Sequence, residues 1–411
     1  MAKDPWRVFW GNALPQYGVT FAQYLVPLLT LPYLTRVLGA EIYGQVVLLT
    51  AFTSYFQLLI EFGFNLSAAT SVSVHRDSRV DLANIRNAVL RGRLALALMA
   101  SVIFSCVLLL SPFADGFAGL AIAYFVSAML SAFIPIFMFR GLEVMPSLSA
   151  VLVGSRLLFA ALVFLLVRGT EDVFWVPIAN SLGSVVVIGY AMWHFKHKLR
   201  LPHRIADWPE VAVTARASFP YFIDAVSSTA FGALTVLFIS ISDLSLKEIA
   251  LWGASYQLIA AAQSMYGPIM ASLLPRMARS LDWALVRRLI TLLGPAVLVA
   301  CAALFAAADS VMRTVYGSEF ANGDVLRALL PVLAISFPAL LLGAPVLGAI
   351  GRQGDIARST MIAGASFIAA LIGLWALDAV ELVTIAVLRA AAELLLLVIR
   401  LWHVRVYRRA A

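Results

Sequence analysis

Residues 94–111 read LALALMASVIFSCVLLLS and contain no charged side chain. In a helix with a rise of about 1.5 Å per residue, this stretch comes close to the roughly 30 Å thickness of a bilayer hydrocarbon core. Arg91 and Arg93 stand directly before it, where basic flanks of a membrane span are usually found on the cytoplasmic side. The stretch therefore predicts a transmembrane helix.

The composition of the whole chain extends this interpretation to most of its length. Of the 411 residues, 62% are hydrophobic and 13% are charged, and the mean hydropathy is +0.93. Soluble domains have about 45–50% apolar and about 25% charged residues, so an assembly of soluble domains is excluded. The apolar runs are broken by Pro and Gly and do not alternate like barrel strands, which predicts an all-α polytopic membrane protein.

Twelve segments are long and apolar enough to span a bilayer as helices. They are residues 12–35, 43–65, 94–111, 117–139, 146–167, 173–194, 219–241, 249–271, 289–308, 325–350, 359–377 and 380–400. The last two are separated only by a short turn that contains Asp378 and Glu381.

The positions of the basic residues predict the orientation. If both termini are cytoplasmic, 23 of the 30 Lys and Arg residues lie on the cytoplasmic side and five lie outside. The remaining two, Arg156 and Arg389, fall within spans. This bias is the one expected of short cytoplasmic loops, so we interpret the net charge of +8 as an orientation signal and not as a nucleic-acid surface. The N-terminus has no signal-peptide cleavage pattern, and we expect the first span to be retained.

The chain divides into two similar halves. Pro202 and Pro209 interrupt a polar, basic stretch at residues 195–218, which predicts an N-terminal lobe at 1–200 with helices 1–6 and a C-terminal lobe at 201–411 with helices 7–12. Pro15 and Pro220 occupy matching positions in spans 1 and 7. Six spans per half give both lobes the same orientation, so a pseudo-two-fold axis along the membrane normal is expected.

Three motifs resemble one family of transporters. Residues 31–39 read LPYLTRVLG, residues 61–65 read EFGFN, and residues 274–279 read LPRMAR. These motifs resemble those of Wzx-type polysaccharide flippases, which carry O-antigen or exopolysaccharide repeat units. These flippases belong to the multidrug/oligosaccharidyl-lipid/polysaccharide (MOP) exporter superfamily, together with lipid II flippases and MATE drug exporters. The chain is somewhat shorter than is common in the family.

The resemblance implies a function and a setting. It implies a two-lobed bundle around an alternately opened cavity that moves undecaprenyl-diphosphate-linked oligosaccharide across the bacterial inner membrane. The implied partners are this substrate and membrane lipid, together with a polysaccharide polymerase and a chain-length regulator. It implies Na⁺ or H⁺ as a coupling ion and no other cofactor. A lipid II flippase or a MATE-like drug/cation antiporter is the alternative within the superfamily.

Polar residues within the spans are the candidates for contact with substrate. An intramembrane Arg156 fits a diphosphate or sugar contact, because a guanidinium can form two hydrogen bonds to phosphate oxygens. Snorkelling or a bond between helices is the structural alternative, and bonding between helices is also the ordinary role of a single Gln in a membrane. The predicted substrate-cavity residues are Asn12, Gln16, Gln23, Arg36, Gln57, Arg156, Gln257 and Gln263. For Arg276, at the end of span 8, we favour anchoring at the membrane interface.

Three charged residues in the second half are candidates for ion coupling. Arg389 and Glu393 are four residues apart, on one face of span 12; they form either an internal ion pair or a coupling site. Asp224 follows Pro220, where a carbonyl freed by the proline and a carboxylate could bind Na⁺ or accept a proton. Related flippases are thought to place a cation site in the second lobe, which favours Asp224 and Glu393. Glu61, nearer the cytoplasmic surface, is expected to brace the turn after span 2.

No motif for catalysis or metal binding stands out. There is no phosphate-binding Gly-x4-Gly-Lys loop and no His-Glu-x2-His pair. His194, His197 and His203 lie among Lys and Arg residues and are interpreted as basic flank. Cys106 and Cys301 both lie in apolar runs, so neither a disulfide framework nor a zinc site is expected. The alternative of a different class, a polysaccharide polymerase or ligase, would need catalytic residues on large external loops, and the longest predicted one is only about 309–324.

Overall fold

The computed structural model describes residues 5–110, 116–202, 206–267, 269–270, 273–274, 277 and 281–410, and the side chains of 5–25, 230 and 408–410 lie outside this description. Every regular element in these residues is helical. The helices are α1 (Pro5–Glu61), α2 (Phe64–Val74), α3 (Arg79–Leu110), α4 (Ala118–Ala132), α5 (Ile136–Gly141), α6 (Met145–Leu166), α7 (Trp175–His197), α8 (Trp208–Thr229), α9 (Thr235–Ser240), α10 (Leu246–Ser264), α11 (Trp283–Tyr316), α12 (Asp324–Leu341), α13 (Gln353–Ala376) and α14 (Leu382–Ala410).

The helices are those of a multi-pass membrane protein. Within the described residues, ten helical stretches are long and apolar enough to cross a bilayer. One of them, Val26–Val74, is 49 residues long and takes in predicted span 2 and part of span 1. Predicted span 8 corresponds to α10 and then runs into residues outside the description. The all-α polytopic fold is thus confirmed, while the count of twelve spans stays a prediction.

Predicted spans 1 and 2 are joined by a kink in α1 and not by a separate loop. The chain remains helical through α1 and leaves helical geometry only at Gly39, with φ 73 and ψ 169. Glycine reaches this left-handed region without the steric cost that a Cβ would bring. The break frees the N–H of Ala40 from its place in the helix, and this N–H donates to the carboxylate of Glu319 at 2.7 Å.

Two further predicted spans depart from regular α-helical geometry. Span 4 is split into α4 and α5 around Pro135, which has no N–H to donate. Span 10 continues from α12 into a π-helical segment, Leu342–Gly348, with Gly343 outside helical geometry. A second π-helical segment, Ala230–Leu234, lies between α8 and α9. Such segments often mark functional positions in helices.

The chain forms two compact units. The first unit consists of Met1–Thr30 and Leu49–Val226, and the second of Leu31–Leu48 and Ser227–Ala411. The chain therefore passes from the first unit to the second within α8, and the segment around Gly39 packs with the second unit. The lobes predicted at 1–200 and 201–411 describe a sequence repeat and stay a prediction.

Each unit has its own core. In the first unit, α6 packs on α7 and α2 packs on α5, around the buried rings of Phe64, Phe137 and Phe195. In the second unit, α12 packs on α10, α11 and α14, and Trp252 and Phe337 are buried. This packing holds the polar side chains of each unit in fixed positions.

Candidate functional site

The first unit contains a polar cavity among apolar helices, called here the first-unit cavity. Its volume is about 140 Å³, which is room for roughly ten water molecules at about 10–15 Å³ each. Residues of α1, α4, α6 and α7 form its walls, together with the break between α4 and α5. Its polar lining residues are Gln57, Glu61, Ser131, Ser155, Arg156, Asn180 and Ser184. Two of these, Gln57 and Arg156, are among the residues predicted to contact substrate.

Arg156 is positioned by a short chain of hydrogen bonds between α6, α7 and α4. Its Nη1 donates to Oδ1 of Asn180 at 3.2 Å, and Nδ2 of Asn180 donates to Oγ of Ser127 at 2.7 Å. A Cβ at Gly183 would lie 3.2 Å from the carbonyl oxygen of Ser155, so the glycine allows α6 and α7 to approach closely. The guanidinium is therefore held toward the cavity by the surrounding packing.

The charge of Arg156 has no protein counter-ion among the described residues, since none of their ion pairs includes it. A guanidinium has five N–H donors, and only one of them bonds to Asn180. The hydroxyls of Ser131 and Ser184, 3.0 Å apart, add uncharged donors to the same cavity. Cations at membrane depth are costly unless a partner or a hydrated cavity compensates them, and this arrangement can therefore receive an anionic or hydroxyl-rich group.

Glu61 on α1 forms another part of the cavity wall. One carboxylate oxygen accepts from Nε2 of Gln57 at 2.9 Å, and the other accepts from Nδ2 of Asn65 at 3.1 Å. Oδ1 of Asn65 accepts from Nη2 of Arg93 at 2.9 Å, and Nη1 of Arg93 donates to the carbonyl of Ile134 at 3.1 Å. Glu61 braces the turn after span 2, as predicted, and it also lines the cavity.

Arg93 supports the part of the cavity wall around Glu61, a role that its sequence context does not show. The sequence places it among the cytoplasmic basic flanks, but its side chain is only 1% exposed and interacts electrostatically with Glu61. An arginine directly before an apolar run looks the same in sequence whether it points to water or into the bundle. Two sequence features point to the burial of Arg93. Asn65 supplies one acceptor, and the helix break at Pro135 exposes the other, the carbonyl of Ile134.

The EFGFN motif forms a turn that only glycine permits. Gly63 has φ +72, and a Cβ on it would lie 2.6 Å from the carbonyl oxygen of Ser218 and 2.8 Å from the nitrogen of Phe222. The turn thus packs directly against the backbone of α8. It fixes Glu61 and Asn65 on either side of the bend.

Replacing Gly63 by Ala is expected to destabilise the protein by about 2–5 kcal/mol, because left-handed geometry costs a Cβ-bearing residue about 1–2 kcal/mol and overpacking costs about 1–3 kcal/mol. The measurement is the thermal unfolding midpoint of the purified protein in detergent. Gly154→Ala is the matched control, since a Cβ at Gly154 meets nothing within 4 Å. Equal midpoints for the two variants would contradict the role of the turn.

The second unit holds a buried ion pair on α14. Nη1 of Arg389 lies 2.7 Å from Oε2 of Glu393, and the two residues are 6% and 5% exposed. The carbon of the guanidinium lies 4.3 Å from the centroid of the Phe231 ring. Of the two alternatives predicted from the four-residue spacing, the structure has the internal ion pair. A role of this pair in ion coupling stays a prediction.

Arg400, also placed among the basic flanks by the sequence, is buried on the same helix. Its Nη1 donates to the carbonyl of Ala339 at 2.7 Å, and its Nε donates to Ser359 at 3.3 Å. A Cβ at Gly343 would lie 2.9 Å from Nη1 of Arg400. Arg400 thus stabilises the broken end of α12, where the π-helical segment begins.

The remaining predicted residues have no described contact with these networks. Asn12, Gln16 and Gln23 are in α1, but their side chains lie outside the described residues, and Arg276 lies outside them altogether. Gln257 and Gln263 are half-buried on α10, and Asp224 is exposed on α8. Arg36 is exposed and donates to the carbonyl of Thr314. Their roles as substrate or ion contacts stay predictions.

The carboxylates of the longest predicted external loop are occupied by structural bonds. Nη2 of Arg327 lies 2.6 Å from Oδ2 of Asp309, whose Oδ1 accepts from the N–H of Gly323 at 2.8 Å. The hydrogen bond from Arg327 holds the pKa of Asp309 below its usual value. Glu319 accepts from Ala40, as described above. Asp324, the third carboxylate of the loop, lies 2.9 Å from Nη1 of Arg327, so all three acidic groups take part in fixing the loop.

Comparison with known proteins decides the family. Residues 9–281 match the family of the polysaccharide biosynthesis protein, which is more than half of the chain. This chain belongs to the polysaccharide biosynthesis protein family. A relative named putative O-antigen transporter, from Escherichia coli (strain K12), is 28% identical over 264 residues, which cover 63% of this chain and 62% of the relative. A second putative O-antigen transporter, from Shigella dysenteriae, is 24% identical over 274 residues, or 65% of this chain and 67% of the relative.

Solved structures show how this member of the polysaccharide biosynthesis protein family folds. The inward closed conformation of the lipid II flippase MurJ has a TM-score of 0.70 at 11% identity and covers 96% of this chain and 87% of its own. An inward-facing multidrug resistance MATE family transporter of the MOP superfamily has a TM-score of 0.67 at 14% identity, with 94% and 96% covered. The fold is thus similar to the folds of MurJ and of this MATE transporter, and the family match over residues 9–281 confirms the predicted family resemblance.

Proposed function

We propose that this chain is a flippase, and not an enzyme, which moves an undecaprenyl-diphosphate-linked oligosaccharide repeat unit across the bacterial inner membrane for surface polysaccharide biosynthesis. The family and the names of the relatives support a transporter of O-antigen type. A polymerase or ligase receives no support from them. Alternating access between inward-open and outward-open states is the proposed mechanism.

The observation that carries this proposal is the first-unit cavity. A lipid-linked sugar has a polar, anionic headgroup that must cross an apolar layer, so the protein must offer polar contacts at membrane depth. Arg156 offers donors to phosphate or sugar oxygens, while the carboxylate of Glu61, the amides and the serine hydroxyls suit sugar hydroxyls. No nucleic acid is proposed as a partner.

The coupling ion is proposed to be Na⁺ or H⁺, acting through acidic groups in the second half of the sequence. Asp224 is exposed on α8 and is free to meet a cation or a proton. The Arg389–Glu393 pair is the other proposed coupling element, as a pair whose contact changes between the inward-open and outward-open states and not as a Na⁺ site. The polysaccharide polymerase and the chain-length regulator are the proposed protein partners.

The orientation can be tested by cysteine labelling in intact cells. In a variant without Cys106 and Cys301, Lys198→Cys is expected to react with a membrane-impermeant maleimide only after permeabilisation, because residues 195–218 are predicted to be cytoplasmic. Glu171→Cys, in the predicted external turn after α6, should react in intact cells. Both side chains are exposed. Efficient labelling of the Lys198 position in intact cells would overturn the orientation.

Deletion of the gene in its source bacterium tests the proposed function. Surface polysaccharide should be lost, and the lipid-linked repeat unit should accumulate in the inner leaflet of the inner membrane. Single repeat units displayed on the cell surface would indicate a polymerase instead, and polymerised chains held on the lipid carrier would indicate a ligase.

A further inference from the structure

The interior of the second unit carries more positive than negative charge along one helix. Arg389, Glu393 and Arg400 follow one another on α14 at spacings of four and seven residues, and all three are buried. Nη1 of Arg389 lies 2.7 Å from Oε2 of Glu393, while Nη1 of Arg400 donates to the carbonyl of Ala339. Arg389 is therefore the cation that pairs with this carboxylate within the membrane-spanning part of the helix.

The Arg389 side chain is held against the carboxylate from two sides. Its edge donates to Glu393, and its face rests on the Phe231 ring at 4.3 Å, an arrangement that favours a cation. Phe231 belongs to the π-helical segment Ala230–Leu234. The arginine thus occupies the position beside Oε2 of Glu393, where a dissolved cation would otherwise find a ligand.

A further cation at this place would be repelled. Like charges a few ångströms apart repel each other strongly in a medium of low dielectric constant, and a Na⁺ ion at Glu393 would be a second positive charge beside a carboxylate that already pairs with Arg389. An uncompensated buried carboxylate, in contrast, is destabilising enough to require a counter-ion. Arg389 already supplies this counter-ion to Glu393.

We propose that Arg389 is a tethered counter-ion of Glu393, which makes this buried acidic group independent of dissolved Na⁺. For transport, and resting on the proposed function, this means that the flippase does not take up Na⁺ at Glu393. The carboxylate would require a dissolved cation only when Arg389 is removed.

The test measures thermal unfolding midpoints of the purified protein in detergent, in NaCl and in choline chloride of equal ionic strength. The wild-type protein should unfold at the same temperature in both salts. Arg389→Met should unfold about 5 °C lower or more in choline chloride and should regain part of this loss in NaCl, saturably. The double variant Arg389→Met/Glu393→Gln, which removes both charges, should regain most of the stability and show no preference between the salts.

Arg405→Met is the matched control, because Arg405 is exposed on the same helix and should not change the midpoint. Saturable stabilisation of the wild-type protein by Na⁺, removed by Glu393→Gln, would overturn the proposal. An equal loss of stability in Arg389→Met with and without Glu393→Gln would also overturn it, since the arginine would then act through packing and not through charge. If Arg389→Met does not fold, the double variant and Arg389→Lys still decide between these outcomes. The midpoints involve no substrate, so they are independent of whether the proposed transport function is correct.

Discussion

Arg156→Gln is expected to reduce translocation of the lipid-linked oligosaccharide about tenfold to a hundredfold while the protein stays folded. The guanidinium of Arg156 bonds to Asn180 and has no carboxylate partner among the described residues, so its remaining donors are available to the substrate. Hydrogen bonds to a charged group contribute about 1.5–3 kcal/mol, and each 1.4 kcal/mol corresponds to about a factor of ten. The measurement is the initial rate of translocation in proteoliposomes.

The control for this variant is Arg168→Gln. Arg168 is exposed just beyond the end of the same helix, α6, and its replacement should leave the rate unchanged. Arg156→Lys should be intermediate, because it keeps the charge but loses the planar fork of donors. A full rate in Arg156→Gln would show that the first-unit cavity does not contact the substrate.

Arg93→Met is expected to lower the free energy of unfolding by about 3–5 kcal/mol, as does removal of one member of a buried charged network. The substitution leaves Oδ1 of Asn65 and the carbonyl of Ile134 without this donor, and it removes one positive charge near Glu61. Thermal unfolding in detergent measures the effect. The Glu61 wall of the cavity should loosen, so translocation should fall as well.

Arg79→Met serves as the matched control, because Arg79 starts the same helix, α3, and is exposed. Its midpoint should equal that of the wild-type protein. If Arg93→Met unfolds at the same temperature as Arg79→Met, the buried network does not stabilise the first unit.

Much of the architecture follows from local sequence signals. An apolar run such as 94–111 can be satisfied only as a helix in lipid, and the EFGFN motif predicted the turn that Gly63 now explains. Arg156 and Gln57 were selected as polar groups within spans, and the structure places both in one cavity. Hydropathy alone singles out these two residues, because polar and ionisable groups at membrane depth are rare.

Other features depend on contacts between distant segments. Gly39 breaks α1 without ending the helix, because Glu319, far along the chain, accepts the freed N–H of Ala40. Arg93 and Arg400 resemble flanking charges in sequence, yet their acceptors are carbonyls exposed at breaks in other helices. Hydrophobic periodicity does not show which carbonyl an arginine will reach. The sequence therefore does not distinguish the buried Arg93 and Arg400 from exposed flanking arginines.

The most direct test of the proposed function uses proteoliposomes that carry a labelled undecaprenyl-diphosphate-linked repeat unit in both leaflets. An added sugar-modifying enzyme acts only on the outer leaflet, so in liposomes without the protein about half of the substrate should remain protected. With the wild-type chain nearly all of it should become accessible, and Arg156→Gln should slow this conversion. A protected half that persists with the folded wild-type chain, while lipid II or a cationic drug is moved, would contradict the proposal.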